Sequence, residues 1–274
     1  MFTGCGLNAI QQEGVARFAK ASAGVGDFSA RELSQLREAT IEMNTKDIAI
    51  NGKAKLTDLD ESFDADDISA RISASTALSS YGKLLLSLVE ETQEAELKDA
   101  SDQFVDSFRR VSGKNLNDEQ LEALGTLVRG IGGLFIEYKK AKAVKKIVVD
   151  AKDDIDIICN LLIADFTRTE LGLAQGVDVT IKRVKADADI ALAMPTVDFQ
   201  SRLIAVEAYR FADDSNARLT IVGKKAIETL TALKLANSQL VATIQKDKKS
   251  ISDIRTLGSK IKELADATRV LSGN

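Results

Sequence analysis

Proline occurs once in this chain of 274 residues, at Pro195. Proline removes a backbone donor and clashes with the preceding turn, so it ends or kinks helices. Soluble proteins carry it at about 5%. A chain this long with a single proline is free to run in long helices, and its apolar residues are spaced for them. Ala74, Leu78, Tyr81, Leu85 and Leu88 recur at intervals of four and three, which places them on one helix face. Ala151, Ile155, Ile158, Leu162 and Phe166 do the same, and Leu173, Ile181, Val184 and Ala188 extend that stripe towards Pro195. Leu203, Val206, Ile227, Leu230, Leu233, Asn237, Leu240 and Ile244 form a stripe beyond it. Runs such as 145–149 have strand propensity, but no pair of them is joined by a hairpin turn signal. The fold class read from these patterns is all-α.

The same spacing predicts lengths. At 1.5 Å per residue, Ala143 to Met194 makes one rod of roughly 75 Å, and Asp198 to Asp247 a second of about the same length. A proline-marked turn joins them into an antiparallel hairpin, with Asp198 capping the second rod. Residues 66–112 form a third helical stretch of similar length. Gly24-Val25-Gly26 predicts a break near the N-terminus, after which Ser29 and Glu32 form the S-x-x-E box that opens a new helix. Residues 53–65 are polar and acidic and read as a solvated loop. The chain therefore divides into an N-terminal tether with short helices, 1–65, and a long-helix bundle, 66–274. The expected architecture is an elongated antiparallel bundle with helices of about 50 residues. Ile251, Ile254, Ile261, Leu264 and Leu271 nearly keep the last register, so the final helix either continues to Ser272 or breaks near Lys248. Asn237 sits among leucines, either buried and setting register or turned to water at an edge.

Chemistry is constrained mainly by what is missing. The sequence has no His, which removes His-based triads, His general bases and His-ligated zinc. Lys and Arg number 37 against 41 Asp and Glu, for a net charge of −4, which argues against wholesale nucleic-acid binding. A calcium loop starting at Asp58 needs Gly at 63 and Glu at 69; the chain has Phe63 and Ser69. Asp150, Asp153, Asp154 and Asp156 read as a solvated helix face. Gly130-Ile131-Gly132-Gly133 lacks the Lys-Ser/Thr of a phosphate loop. Cys159, between Ile158 and Leu162, reads as a buried inert thiol. No catalytic residue, metal ligand or cofactor is assigned, and the expectation is a non-enzymatic protein.

Two segments carry more specific expectations. The chain opens Met1-Phe2-Thr3-Gly4-Cys5-Gly6. A large apolar residue, two small residues and a cysteine resemble the lipobox of bacterial lipoproteins. The resemblance covers five residues, without the charged and apolar regions of a signal peptide. It implies cleavage before Cys5, a lipid on Cys5, and anchoring by acyl chains worth about 0.8 kcal/mol per buried CH₂. In that family Gly6, where an Asp would retain the protein elsewhere, implies the periplasmic face of the outer membrane. The competing reading is a native Met1 and an ordinary thiol.

The second segment joins Gly130, Gly132, Gly133, Leu134 and Phe135 to Lys139, Lys140, Lys142, Lys145 and Lys146. Apolar surface beside a basic run suits an anionic membrane or a partner, and it resembles the membrane-inserting hairpins of helical pore-forming toxins. The competing reading is a small-residue helix contact followed by a solvated basic face. No apolar run reaches the ~18 residues of a membrane span. The function expected from all this is an envelope-associated helical-bundle lipoprotein serving as a structural, binding or interaction module, with an unidentified protein partner. The alternatives are a membrane-active protein inserting residues 130–136, and a soluble coiled-coil accessory protein.

If the stripes are core, Leu162→Ala or Leu230→Ala costs about 2–5 kcal/mol in denaturant unfolding. A loss below roughly 0.5 kcal/mol at both positions would show that the stripes are misassigned.

Overall fold

The structure is a computed structural model. It describes residues 6–51, 59–60, 63, 65–90, 94–111, 122, 137–168, 172–246 and, further on, 252, 255–256, 259 and 262–263. Among the described residues there are seven helices and no strand: α1 (Ala9–Asn51), α2 (Ala65–Val89), α3 (Glu94–Val111), α4 (Glu137–Asp150), α5 (Lys152–Phe166), α6 (Leu173–Ala193) and α7 (Phe199–Lys246). The two longest, α1 with 43 residues and α7 with 48, are about 65 and 70 Å long. They lie antiparallel. Gln11 Nε2 donates to the Thr243 carbonyl at one end, Glu32 pairs with Arg218 midway, and Lys46 approaches Glu207 at the other. α2, α4, α5 and α6 pack along this pair, and α3 packs on α2.

The N-terminal helix does not break where glycine spacing suggests. α1 runs through Gly24-Val25-Gly26, and Ser29 and Glu32 lie buried inside it rather than at a cap. The reason is tertiary. Gly26 faces α2 so closely that a Cβ would collide with the backbone of Ser75 and Ser79, and Gly82 of α2 meets the backbone of Ala19 and Ala23 in the same way. Glycine's helix penalty of about 1 kcal/mol is offset by the approach it permits. Ser22 Oγ donates to the Leu78 carbonyl across the contact at 3.0 Å. Ser79 Oγ donates to Asp27 at 2.6 Å.

Two other stretches are shorter than their stripes imply. Residues 66–112 are two helices, because α3 turns back on α2: the Tyr81 ring meets Phe104 and Phe108 at centroid distances of 6.4 and 6.2 Å. With Phe18 these rings form the bulkiest part of the core. The rod from Ala143 to Met194 is three helices. It bends at Ala151, where the backbone bonds from Ala151 to Ile147 and from Ile155 to Ala151 persist. It then stops at Thr167, which is extended (φ −89°, ψ 126°), and restarts after Gly172. A Cβ at Gly172 would collide with the Ala164 carbonyl, so the restart needs glycine there. The stripe hides this break because Phe166 and Leu173 are both buried on either side of it.

Asn237 is fully buried, and its Nδ2 donates to the Lys152 carbonyl and to Asp156 just past the Ala151 bend. α7 is described to Lys246, and the expected break near Lys248 lies outside the described residues; further on, Ser252 lies against Gln239 and Glu263 against Lys225. Asp60 and Phe63, expected in a solvated loop, are tied down: Phe63 is buried, and Arg37 bonds Asp60 at 2.8 Å and the Phe63 carbonyl at 3.2 Å. Asp154, expected on a solvated face, is buried. One core cluster takes residues from Val15 to Ile244, drawn from both sides of residue 65, and includes Leu162 and Leu230 with no exposed surface.

Buried ion pairs fix how the helices sit against one another. Arg71 of α2 lies 2.9 Å from both carboxylate oxygens of Asp165 on α5. Arg218 holds Glu32 through Nε and Nη2 at 2.9 and 2.6 Å. Such pairs add little net stability, but removing one partner leaves a buried charge behind.

Gly→Ala usually stabilises a helix interior by up to about 1 kcal/mol. At Gly26 and Gly82 the sign should reverse, with a loss of about 1–3 kcal/mol from overpacking. Gly223→Ala should be tolerated, because its Cβ would meet only the Phe166 carbonyl at 3.4 Å. Chemical denaturation of the three variants checks the contrast.

Candidate functional site

The last hairpin, α6 and α7, carries an inverted surface at its closed end. α6 stops at Ala193, two residues before Pro195, and α7 begins at Phe199 under the cap of Asp198, whose carboxylate accepts the Ser201 N–H at 3.1 Å. Hydrogen bonds from Ser201 hold that carboxyl below its ordinary range, so it is ionised. Inside the hairpin the contact is built from Ala188, Ala191 and Ala205, with Ala208 and Ala212 following on α7. The large apolar side chains point outward: Phe199 is 76% exposed, Leu203 42% and Val206 43%, with Ile190 and Leu192 on α6 and Met194 just after it also exposed.

This corrects the stripe read from the sequence, which placed Leu203 and Val206 in the core. The alanines at 205, 208 and 212 occupy the buried face, and Phe199, Leu203 and Val206, at spacings of four and three, share an outward one. Alanine brings little apolar area into the core, so the hairpin end is held by close backbone approach while its larger apolar groups stay in water. The signal was present as the alternation of Ala with larger residues, but hydrophobicity alone favours the larger set.

Just below the tip a buried polar network fastens the end of α1 to α6. Asn51 Nδ2 donates to Asp47 at 2.9 Å and to Asp187 at 2.7 Å. Arg183 reaches Asp47 at 3.3 Å and donates to Asn44, whose own Nδ2 donates to the Leu59 carbonyl at 2.6 Å. Burial raises the Asp47 carboxyl above its ordinary value and neighbouring Asp187 raises it further, against the pull of Arg183. Lys185 sits 4.5 Å from the centroid of the Tyr209 ring across the hairpin. Between α1 and α7 lies an open groove of about 730 Å³ lined by Glu38, Glu42, Phe211, Asp214 and Arg218. Its one guanidinium is already engaged by Glu32 and Gln35.

The candidates from the sequence are placed as follows. Cys5 and Gly130, Gly132, Gly133, Leu134 and Phe135 lie outside the described residues. Lys139 is half-buried and Lys140 buried on α4, so the exposed cations of that run are Lys142 and Lys146, and Lys146 pairs with Asp150 at 2.7 Å. Cys159 is buried, and burial pushes its thiol well above the usual range, which suppresses the thiolate a nucleophile needs. Among the described residues no group of three or more Cys, Asp or Glu side chains is set to hold a metal ion. No described helix is long and apolar enough to cross a membrane. This chain has no significant match to a protein-family model, a curated protein or a solved structure.

A carboxyl raised on folding favours its protonated form in the native state. Its ionisation therefore costs stability as the pH rises from the ordinary value of 3.8 through the higher folded value, and the cost is constant above that. Asp47→Asn should raise the thermal midpoint at pH 7, and the gain should fade as the pH approaches 3.8. Melting curves across that range check both the sign and the window.

Proposed function

We propose that this chain is a non-enzymatic, lipid-tethered helical rod of the bacterial envelope whose working surface is the closed end of the α6–α7 hairpin. The observation that carries the reading is the separation of two unlike ends. α1 begins beside Thr243 and ends beside the alanine cluster at the hairpin tip, where Ile50 packs on Ala188, Ala191 and Ala205. Some 65 Å of helix lies between them. The lipobox-like cysteine precedes the first end by four residues, and outward-facing Phe199, Leu203 and Val206 mark the second.

A rod stiffened by two long antiparallel helices suits the display of a surface away from an anchor. A lipid on Cys5 would hold one end at the periplasmic face of the outer membrane, and the apolar tip would meet a protein partner at a distance from it. The buried thiol of Cys159 and the ion-paired charges of the core are consistent with presentation rather than catalysis.

Mass spectrometry of the protein expressed from its full natural reading frame in a bacterial host tests the tether. The expected product begins at Cys5 and carries a diacylglyceryl and acyl mass increment. An unmodified Cys5 in the mature protein would rule the anchor out.

A further inference from the structure

We infer that the outward stripe of α7 is a self-association seam, on which a second copy of this chain docks side by side and in the same direction. The register comes from spacing. Phe199, Leu203, Val206 and Arg210 follow one another at intervals of four, three and four, which is the a/d alternation of a coiled-coil seam. With Leu203 and Arg210 as a positions and Phe199 and Val206 as d positions, Arg202 falls at g and Glu207 at the following e. Parallel in-register helices bring each g residue against the partner's e residue five positions on. A two-fold axis along the rod therefore sets Arg202 against Glu207 of the second copy, and the reverse pair forms by symmetry. An antiparallel arrangement puts Arg202 and Glu207 on opposite flanks of the seam and forms neither pair.

The groups needed are on the surface. Arg202 is exposed, and the Glu207 side chain is 53% exposed with only a 3.9 Å approach from Lys46. Charge selects a second copy over a lipid surface. Residues 187–210 hold Asp187, Asp189, Asp198 and Glu207 against Arg202 and Arg210, and with Lys46 and Lys185 beside them the tip lacks the basic excess that anionic headgroups attract. The same-direction arrangement also places both N-terminal ends on one side, so two copies tethered in one membrane meet in the orientation the charges require. The seam is short: Arg210 at the next a position ends it after about one heptad. Association in solution is accordingly weak and gains from the high local concentration that a shared membrane supplies. The inference rests on reading the hairpin tip as an interaction surface, and it does not require acylation of Cys5.

Cross-linking tests it on the full chain with Cys5→Ser, which leaves only buried Cys159. Val206→Cys should form a disulfide-linked dimer about tenfold faster than Val179→Cys, a more exposed position on α6 away from the seam. Arg202→Glu should abolish the difference, and adding Glu207→Arg should restore it. Arg210→Leu, which lengthens the seam, should accelerate linkage. Circular dichroism confirms that each variant is folded. Equal rates at 206 and 179, or failure of the paired charge reversal to restore linkage, would overturn the self-association seam while leaving the lipid tether untouched. Flotation of the protein with phosphatidylethanolamine–phosphatidylglycerol vesicles, lost in Phe199→Asp, would overturn it in favour of a lipid occupant.

Discussion

Residue size at the helix crossings governs this molecule. Where α1 meets α2, Gly26 and Gly82 let two backbones approach to a distance that no side chain would fit. Where α6 meets α7 near their shared turn, alanines do the same job over a longer stretch. Helices packed this closely gain many weak dispersion contacts and exclude water without needing large side chains between them. The bulky groups are then free to go elsewhere. Where α1, α2 and α3 meet they go inward, as the Phe18, Tyr81, Phe104 and Phe108 cluster. At the hairpin tip they go outward.

That partition gives the rod its two characters. The end near Gln11 and Thr243 joins a core of aromatic and aliphatic side chains, and midway along the rod the buried Glu32–Arg218 and Asp165–Arg71 pairs define which helix faces which. The opposite end has a thin alanine core. The Asn44, Asp47, Asn51, Arg183 and Asp187 network clamps it where α1 runs out. A polar clamp contributes direction more than net energy, since its members must be desolvated together. It keeps α1 aligned with α6 up to the point where the exposed apolar surface begins.

Under the proposed function, the arrangement would separate holding from presenting. The buried charges are paired across helices and serve the packing, and the buried Cys159 thiol is kept protonated. The groups left facing water in an unusual way are apolar, and they sit on a rigid hairpin rather than on a loop. Surfaces of that kind recognise other surfaces, and a rigid helical support loses little entropy when they do.

The sequence by itself determined the all-helical class, the end of α6 before Pro195, the Asp198 cap and most of the core, because periodicity and capping are local properties, and at these places no tertiary contact opposes them. Leu162, Leu230 and Ile155 are buried as their spacing requires. Only the tertiary structure decided whether a glycine interrupts a helix or lets one pass close to another: Gly26 and Gly172 look alike in sequence, yet one lies within a long helix and the other starts a new one. It also decided which face of α7 is buried near the tip. A helix with alanine on one face and Leu, Val and Phe on another can pack with either face inward, and here the small Ala188 and Ala191 of α6 meet the alanine face.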